Sequence, residues 1–215
     1  MSAFDNYRAL QKELAECAAD GGFDPERLKV LAVTKNQTAQ VIRELYDSGV
    51  REFAENRIAV LEEKIPQFPD DVVWHFIGKV QSNKVRKVLK AAKVVHSVDS
   101  LELLLRIDRI SGEEKVSPEL YLEVNVSGEG SKSGVTPQEA REILQTPLAN
   151  VRVTGLMTMA PNGASDGELK EIFSSLRRLG ESLGVTEFSM GMSNDSHIAA
   201  ACGSTTVRIG TALFV

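Results

Sequence analysis

Cysteine is nearly absent. Cys17 and Cys202 are the only two in 215 residues, which excludes a disulfide framework and leaves no metal-ligand spacing. Both read as small apolar fillers in a reducing compartment. Long apolar runs are missing as well: nothing approaches the ~20 apolar residues of a membrane span. The opening segment MSAFDNYRALQKELAECAA lacks a signal peptide's basic start and apolar core. It reads as an amphipathic helix in a cytoplasmic protein with no membrane partner. Positive charge is not in excess either. Lys plus Arg number 25 against 30 acidic residues, a net charge of -5, which argues against a general nucleic-acid or anionic-membrane surface. The basic runs 84–93 and Arg177-Arg178 fall on predicted helices as solvated outer faces. No repeat, low-complexity tract or linker interrupts the chain. With 42% hydrophobic and 26% charged residues, the expectation is one globular domain spanning 1–215.

What is present is alternation. Short apolar, β-branched runs recur at 28–34, 50–54, 72–77, 94–98, 120–126, 151–157, 187–190 and 206–209. Helical patterns lie between them at 38–48, 56–65, 83–92, 101–110, 137–144, 166–183 and 195–202. Strand and helix alternating eight times with short connections predict a single (β/α)8 TIM barrel with an extra N-terminal helix. A doubly wound open sheet is the alternative, because alternation does not distinguish a closed sheet from an open one. The loosest segment, SGEGSKSGV at 127–135, predicts a mobile loop after the fifth strand, and 160–167 a second loop after the sixth.

Candidate chemistry concentrates at the strand ends, where barrels and open α/β sheets bind ligands. The first strand ends at Lys35, in LKVLAVTK. A partly desolvated lysine has a lowered pKa and an amine able to attack a carbonyl; the bland reading is a lysine snorkelling to water. Asn56, Asp99, Thr136 and Ser193 each precede a helical pattern and read as helix caps or as site residues, the cap being favoured for Asp99 and Thr136. Near the end, FSMGMSNDSHIAAACGSTTVRIGTALF places Gly191 and Ser193 after the seventh strand, and Gly210 and Thr211 after the eighth. Barrels commonly bind phosphate there. Alternation turns Arg208 toward the barrel interior. A buried guanidinium needs an acceptor, either a carboxylate such as Glu123 or Glu55, or a ligand. One ligand satisfies all three features: an aldehyde for Lys35, a phosphate for the two loops and a ring nitrogen for Arg208. Pyridoxal 5′-phosphate (PLP) has these groups.

The same residues resemble a known family. VLAVTK (30–35), AEN (54–56), WHFIGKVQSNK (74–84), SVDS (97–100), EVNVSGEGSKSG (123–134), GLMTM (155–159), SMGMSNDS and GSTTVRIGTALF resemble the YggS/PROSC family of PLP homeostasis proteins, which look like the barrel domain of alanine racemase, a fold-type III PLP protein. The resemblance implies that Lys35 holds PLP as a Schiff base, that Ser193, Gly210 and Thr211 hold its phosphate, that Arg208 faces the pyridine nitrogen and that Asn56 lines the pocket. This chain departs from the family pattern in having Asn36-Gln37 for threonine-lysine, Ala54 for glycine and Arg57 for tyrosine.

Two classes of function follow. One is a non-catalytic PLP carrier acting in vitamin B6 homeostasis, a monomer or weak dimer that delivers PLP to apo-enzymes; no catalytic or metal-binding residue is then expected. The other is an amino-acid racemase or related small PLP enzyme. A racemase needs a second base opposite the lysine, and Tyr7, Tyr46 and Tyr121 fall away from the ligand face. His75, between Trp74 and Phe76, reads as a core residue rather than a base. Lys132 in the glycine-serine loop reads as a solvated lysine or a transient amine at the pocket mouth. From the residues alone, a cofactor-free barrel enzyme with an aldolase-type lysine also fits.

Overall fold

The computed structural model describes residues 2–128 and 133–214; Lys132 lies outside them. In β1 (Lys29–Val33) every residue but the first is buried, as expected of a strand covered on both faces. β2 (Glu52–Glu55), β3 (Val73–Phe76), β4 (Val94–Val98), β5 (Glu119–Glu123), β6 (Arg152–Met157), β7 (Glu187–Met192) and β8 (Thr206–Ile209) follow. Each strand pairs in parallel with the next, and β8 returns to β1 with Leu31 opposite Arg208. The sheet is therefore closed, which rules out the open-sheet alternative. The connecting helices are α2 (Ala39–Asp47), α3 (Ile58–Lys64), α4 (Val85–Ala91), α5 (Leu101–Glu114), α6 (Pro137–Ile143), α7 (Asp166–Ser182) and α8 (Ser196–Ala201), preceded by the extra helix α1 (Ala3–Asp20). The architecture is the predicted (β/α)8 TIM barrel. α1 starts at a Ser2–Asp5 capping box and ends against α8, where a Cβ on Gly21 would lie 2.2 Å from the Ala201 carbonyl oxygen.

The differences from the predicted elements are local. β5 was expected to reach Val126 but stops at Glu123. Val124 makes only a single bridge to Val135, and the Asn125 side chain accepts hydrogen bonds from Ser127 Oγ and the Gly128 amide, turning the chain. α5 runs past its expected end at Ile110, through Gly112. That glycine accommodates the Asn150 side chain, whose Oδ1 would lie 2.7 Å from an added Cβ. Thr136 caps α6 as expected, whereas Asp99 does not cap α5. Ser100 does, and Asp99 lies 3.8 Å from Lys79 instead.

Most apolar burial is outside the barrel, between strands and helices, where Phe53, Phe76, Phe173 and Phe188 are fully enclosed. Gly180 of α7 packs on the edge of the Phe188 ring, and a Cβ there would lie 2.3 Å from Phe188 Cε1. Gly180→Ala is expected to overpack this contact and lower stability by about 1–3 kcal/mol. Urea denaturation measures this, and an unchanged midpoint would show that the helix shifts freely.

The barrel interior is divided. Leu31, Val33, Ala54 and Ile77 form one small apolar cluster, and Val73, Val94, Tyr121 and Met157 another, with polar side chains among them. At the mouth formed by the strand N-termini, Glu52 receives Lys29 Nζ at 3.0 Å and lies 3.3 Å from His75 Nε2. The histidine contact first, and Lys29 after it, hold Glu52 down to about 2. A carboxylate with a depressed folded-state pKa stabilises the fold above its ordinary value of 4.5, and that contribution is lost as pH falls toward 2. Glu52→Gln is therefore expected to flatten the loss of stability between those pH values, measured as urea midpoints across the acid range. An acid limb identical to wild type would contradict this.

Candidate functional site

The site begins where β1 stops. Thr34 is fully buried; its Oγ1 donates to Glu55 Oε1 at 3.0 Å, and its carbonyl oxygen accepts Lys64 Nζ at 2.9 Å. Lys64 is also ion-paired with Glu55. Lys64 is 6% exposed and Glu55 is not exposed at all, so a buried cation and anion clamp the residue before Lys35. The chain then turns through Lys35 and Asn36, closed by the Gln37 amide donating to the Thr34 carbonyl. Asn36 has φ +66°, a left-handed conformation that asparagine tolerates better than a β-branched residue. Arg57 Nη2 lies 3.4 Å from Asn36 Oδ1, so these two side chains contact each other at the rim.

Lys35, Asn56, Ser193, Arg208, Gly210 and Thr211 all line one cavity of about 580 Å³ at the C-terminal ends of the strands. A larger share of its wall than the sequence suggested comes from the loop after β6, including Met159, Ala160 and Asn162. Lys35 and Asn56 are exposed at its mouth. The desolvated setting expected for the Lys35 amine is thus not a feature of this arrangement: the residue sits in a turn beyond the strand, not within it. Asn56 is not a helix cap; α3 starts after Arg57. Its position depends on Gly78, because a Cβ there would lie 2.0 Å from the Asn56 carbonyl oxygen.

Ser193 does not cap α8. Asp195 occupies that position, and its Oδ1 accepts the Met192 amide at 2.5 Å. This bond tightens the turn after β7 and leaves the Ser193 hydroxyl available to the cavity. Gly191 enters the turn at φ +94°, and a Cβ would lie 2.5 Å from Ala199 Cβ, so glycine is required there. The backbone amides of Ser193, Asn194, Gly210 and Thr211 donate to no backbone oxygen among the described residues. Two adjacent loops that line the cavity thus carry N–H groups without a backbone acceptor among the described residues, a set suited to an anion.

Arg208 is buried at the cavity floor. Its acceptors are neither of the carboxylates considered from sequence. Nη1 donates to the Ser189 carbonyl oxygen at 2.8 Å and to Ser189 Oγ at 2.6 Å, and Nη2 to the Thr158 carbonyl oxygen at 3.1 Å. Glu55 points outward to Lys64, and Glu123 accepts from Ser133. Burial holds the guanidinium down to about 10, against the opposing pull of Asp195 and Glu123. A cation bonded only to neutral oxygens retains capacity for a ligand acceptor.

An amine at the mouth, a guanidinium at the floor and unengaged amides on one wall match the aldehyde, ring nitrogen and phosphate of PLP. The residues present fit that group. Sequence reasoning missed Ser189 and His96 behind Arg208. Alternation puts Ser189 on the inner face of β7, but no local pattern links it to a histidine 93 positions away.

Residues 8–215 match the family described as alanine racemase, N-terminal domain. A pyridoxal phosphate homeostasis protein of Synechocystis sp. is 39% identical over 202 residues, covering 88% of this chain and 92% of the relative. The solved structure of PipY of Synechococcus elongatus with PLP bound is 38% identical, with a TM-score of 0.82 over 94% of this chain and all of that one. An alanine racemase of Clostridium difficile shares the fold at a TM-score of 0.75 and 17% identity, covering 97% of this chain and 56% of that one. The chain belongs to the pyridoxal phosphate homeostasis protein family, built on the alanine racemase N-terminal barrel.

Proposed function

We propose that this chain binds PLP through Lys35 and acts in PLP homeostasis as a carrier, without efficient catalysis. The observation behind the reading is the convergence of Lys35, Arg208 and the two amide-bearing loops on one cavity. Lys35 supplies the amine that retains the cofactor through its aldehyde. Ser193, Gly210 and Thr211 hold the phosphate, Arg208 donates toward the ring nitrogen, and Asn56 lines the wall. Bound PLP supplies an electron-accepting ring, which a guanidinium beside the nitrogen leaves weaker than a carboxylate would.

Turnover is disfavoured by the placement of the tyrosines. None lines the cavity: Tyr46 hydrogen-bonds Asp71 on the outer surface, Tyr7 lies on α1, and Tyr121 is stacked on His96 in the barrel interior, its hydroxyl pushed up first by burial. A second base opposite Lys35 is thus not available from a tyrosine. An open cavity also suits release of the cofactor to apo-enzymes better than carbanion chemistry. The two cysteines are free thiols, in keeping with a reducing, cytoplasmic setting, and no described helix is long and apolar enough to cross a membrane. Titration with PLP, read by visible absorbance, is expected to saturate at one cofactor per chain, with alanine racemisation near background. Racemisation at enzyme-like rates that depends on Lys35 would overturn the carrier reading.

A further inference from the structure

A line of polar side chains runs along the barrel axis behind the cavity floor. Arg208 Nη1 lies 2.6 Å from Ser189 Oγ, Ser189 Oγ 2.8 Å from His96 Nδ1, His96 Nε2 2.9 Å from His75 Nδ1, and His75 Nε2 3.3 Å from Glu52 Oε2. Lys29 closes the far end on Glu52 Oε1. The line runs from the cavity-lining Arg208 to Glu52 and Lys29 at the opposite mouth of the barrel.

Its donor directions are fixed by Arg208. A guanidinium has only donors, so Ser189 Oγ accepts from it and must send its own proton elsewhere. The ring nitrogen in reach is His96 Nδ1. That nitrogen therefore carries a lone pair, and the neutral His96 ring bears its proton on Nε2, aimed at His75 Nδ1. His75 in turn accepts on Nδ1 and bears its proton on Nε2, facing the Glu52 carboxylate, though off the ideal hydrogen-bond line. Burial foremost pushes His96 well below the ordinary histidine range, consistent with a neutral ring. The Tyr121 ring stacks on His96 with planes 2° apart and centroids at 4.5 Å, blocking a ring flip. The charged ends, Arg208 and Glu52, polarise the neutral groups between them in the same sense.

We propose that Ser189 and His96 are positioning residues that lock the orientation of the Arg208 guanidinium and so set the electronic environment of the PLP ring nitrogen. This rests on the reading of the cavity as a PLP site. Ser189 anchors Nη1 through both its carbonyl and its hydroxyl, and His96 prevents that hydroxyl from rotating away. A guanidinium held by Thr158 and Ser189 backbone oxygens alone would keep its place but lose its fixed tilt.

Two measurements test it. Long-range proton–nitrogen correlation NMR on the ¹⁵N-labelled, PLP-free chain reads the histidine tautomers directly. The chain has three histidines, His197 is exposed, and His96→Gln assigns the buried pair. At about pH 8, the geometry places the ring proton of each on Nε2; a proton on His96 Nδ1 would overturn the proposed line. In the PLP-loaded chain, Ser189→Ala is expected to shift the visible absorption maximum and raise the Kd about tenfold, while Ser189→Thr, which keeps the hydroxyl, restores both toward wild type. Wild-type uptake of PLP with an unshifted spectrum and Kd in Ser189→Ala overturns the positioning role alone. A wild-type chain that takes up no PLP overturns the functional reading, and the positioning role with it.

Discussion

Replacing Lys64 with methionine is expected to lower stability by about 3–5 kcal/mol, because it strands the Glu55 carboxylate in the wall between β2 and α3. Glu55 is fully buried, and its Oε2 already lacks a hydrogen-bond partner; Oε1 depends on Lys64 and Thr34. Glu55→Gln combined with Lys64→Met removes the stranded charge and should recover most of the loss. Urea denaturation of the two variants measures both effects. A Lys64→Met chain within about 1 kcal/mol of wild type would show that the pair is no more than a surface-type bridge. The effect extends to function, since Lys64 also bonds the Thr34 carbonyl immediately before Lys35.

The second large effect is expected at Lys35 itself. Lys35→Ala should remove the visible absorbance that the wild-type chain gains with PLP, because the variant has no amine there to hold the aldehyde. Binding should weaken on the order of a hundredfold without vanishing, since Arg208 and the amides of the β7 and β8 loops are untouched. The fold should be unaffected, as Lys35 is exposed in a turn. Equilibrium dialysis separates the two consequences. Retention of the full absorbance by Lys35→Ala would mean that another amine holds the cofactor.

The barrel was legible because each strand is buried on both faces and each helix on one, so composition and period reported the environment directly. The site was legible to the extent that it lies at strand ends: Lys35, Ser193, Arg208, Gly210 and Thr211 are placed by counting from β1, β7 and β8. What the sequence did not show depends on contacts across the fold. Lys64, in IAVLEEK, looks like a solvated helical lysine, and only the pitch of α3 turns it onto Glu55. The acceptor of Arg208 was sought among carboxylates because charge is visible in a sequence. The neutral oxygens of Ser189 and Thr158 that fill the role are not. Asp99 looked like a cap because it precedes a helix, yet Ser100, one residue later, has its hydroxyl within reach of the Leu103 amide. The exposure of Lys35 follows from the turn at Asn36, a local backbone choice that hydropathy does not register.

The most direct test of the central claim is borohydride reduction of the PLP-loaded chain followed by peptide mass mapping. A single pyridoxyl adduct on Lys35 is expected. An adduct confined to another lysine, or a chain that remains colourless with no adduct at all, would contradict it.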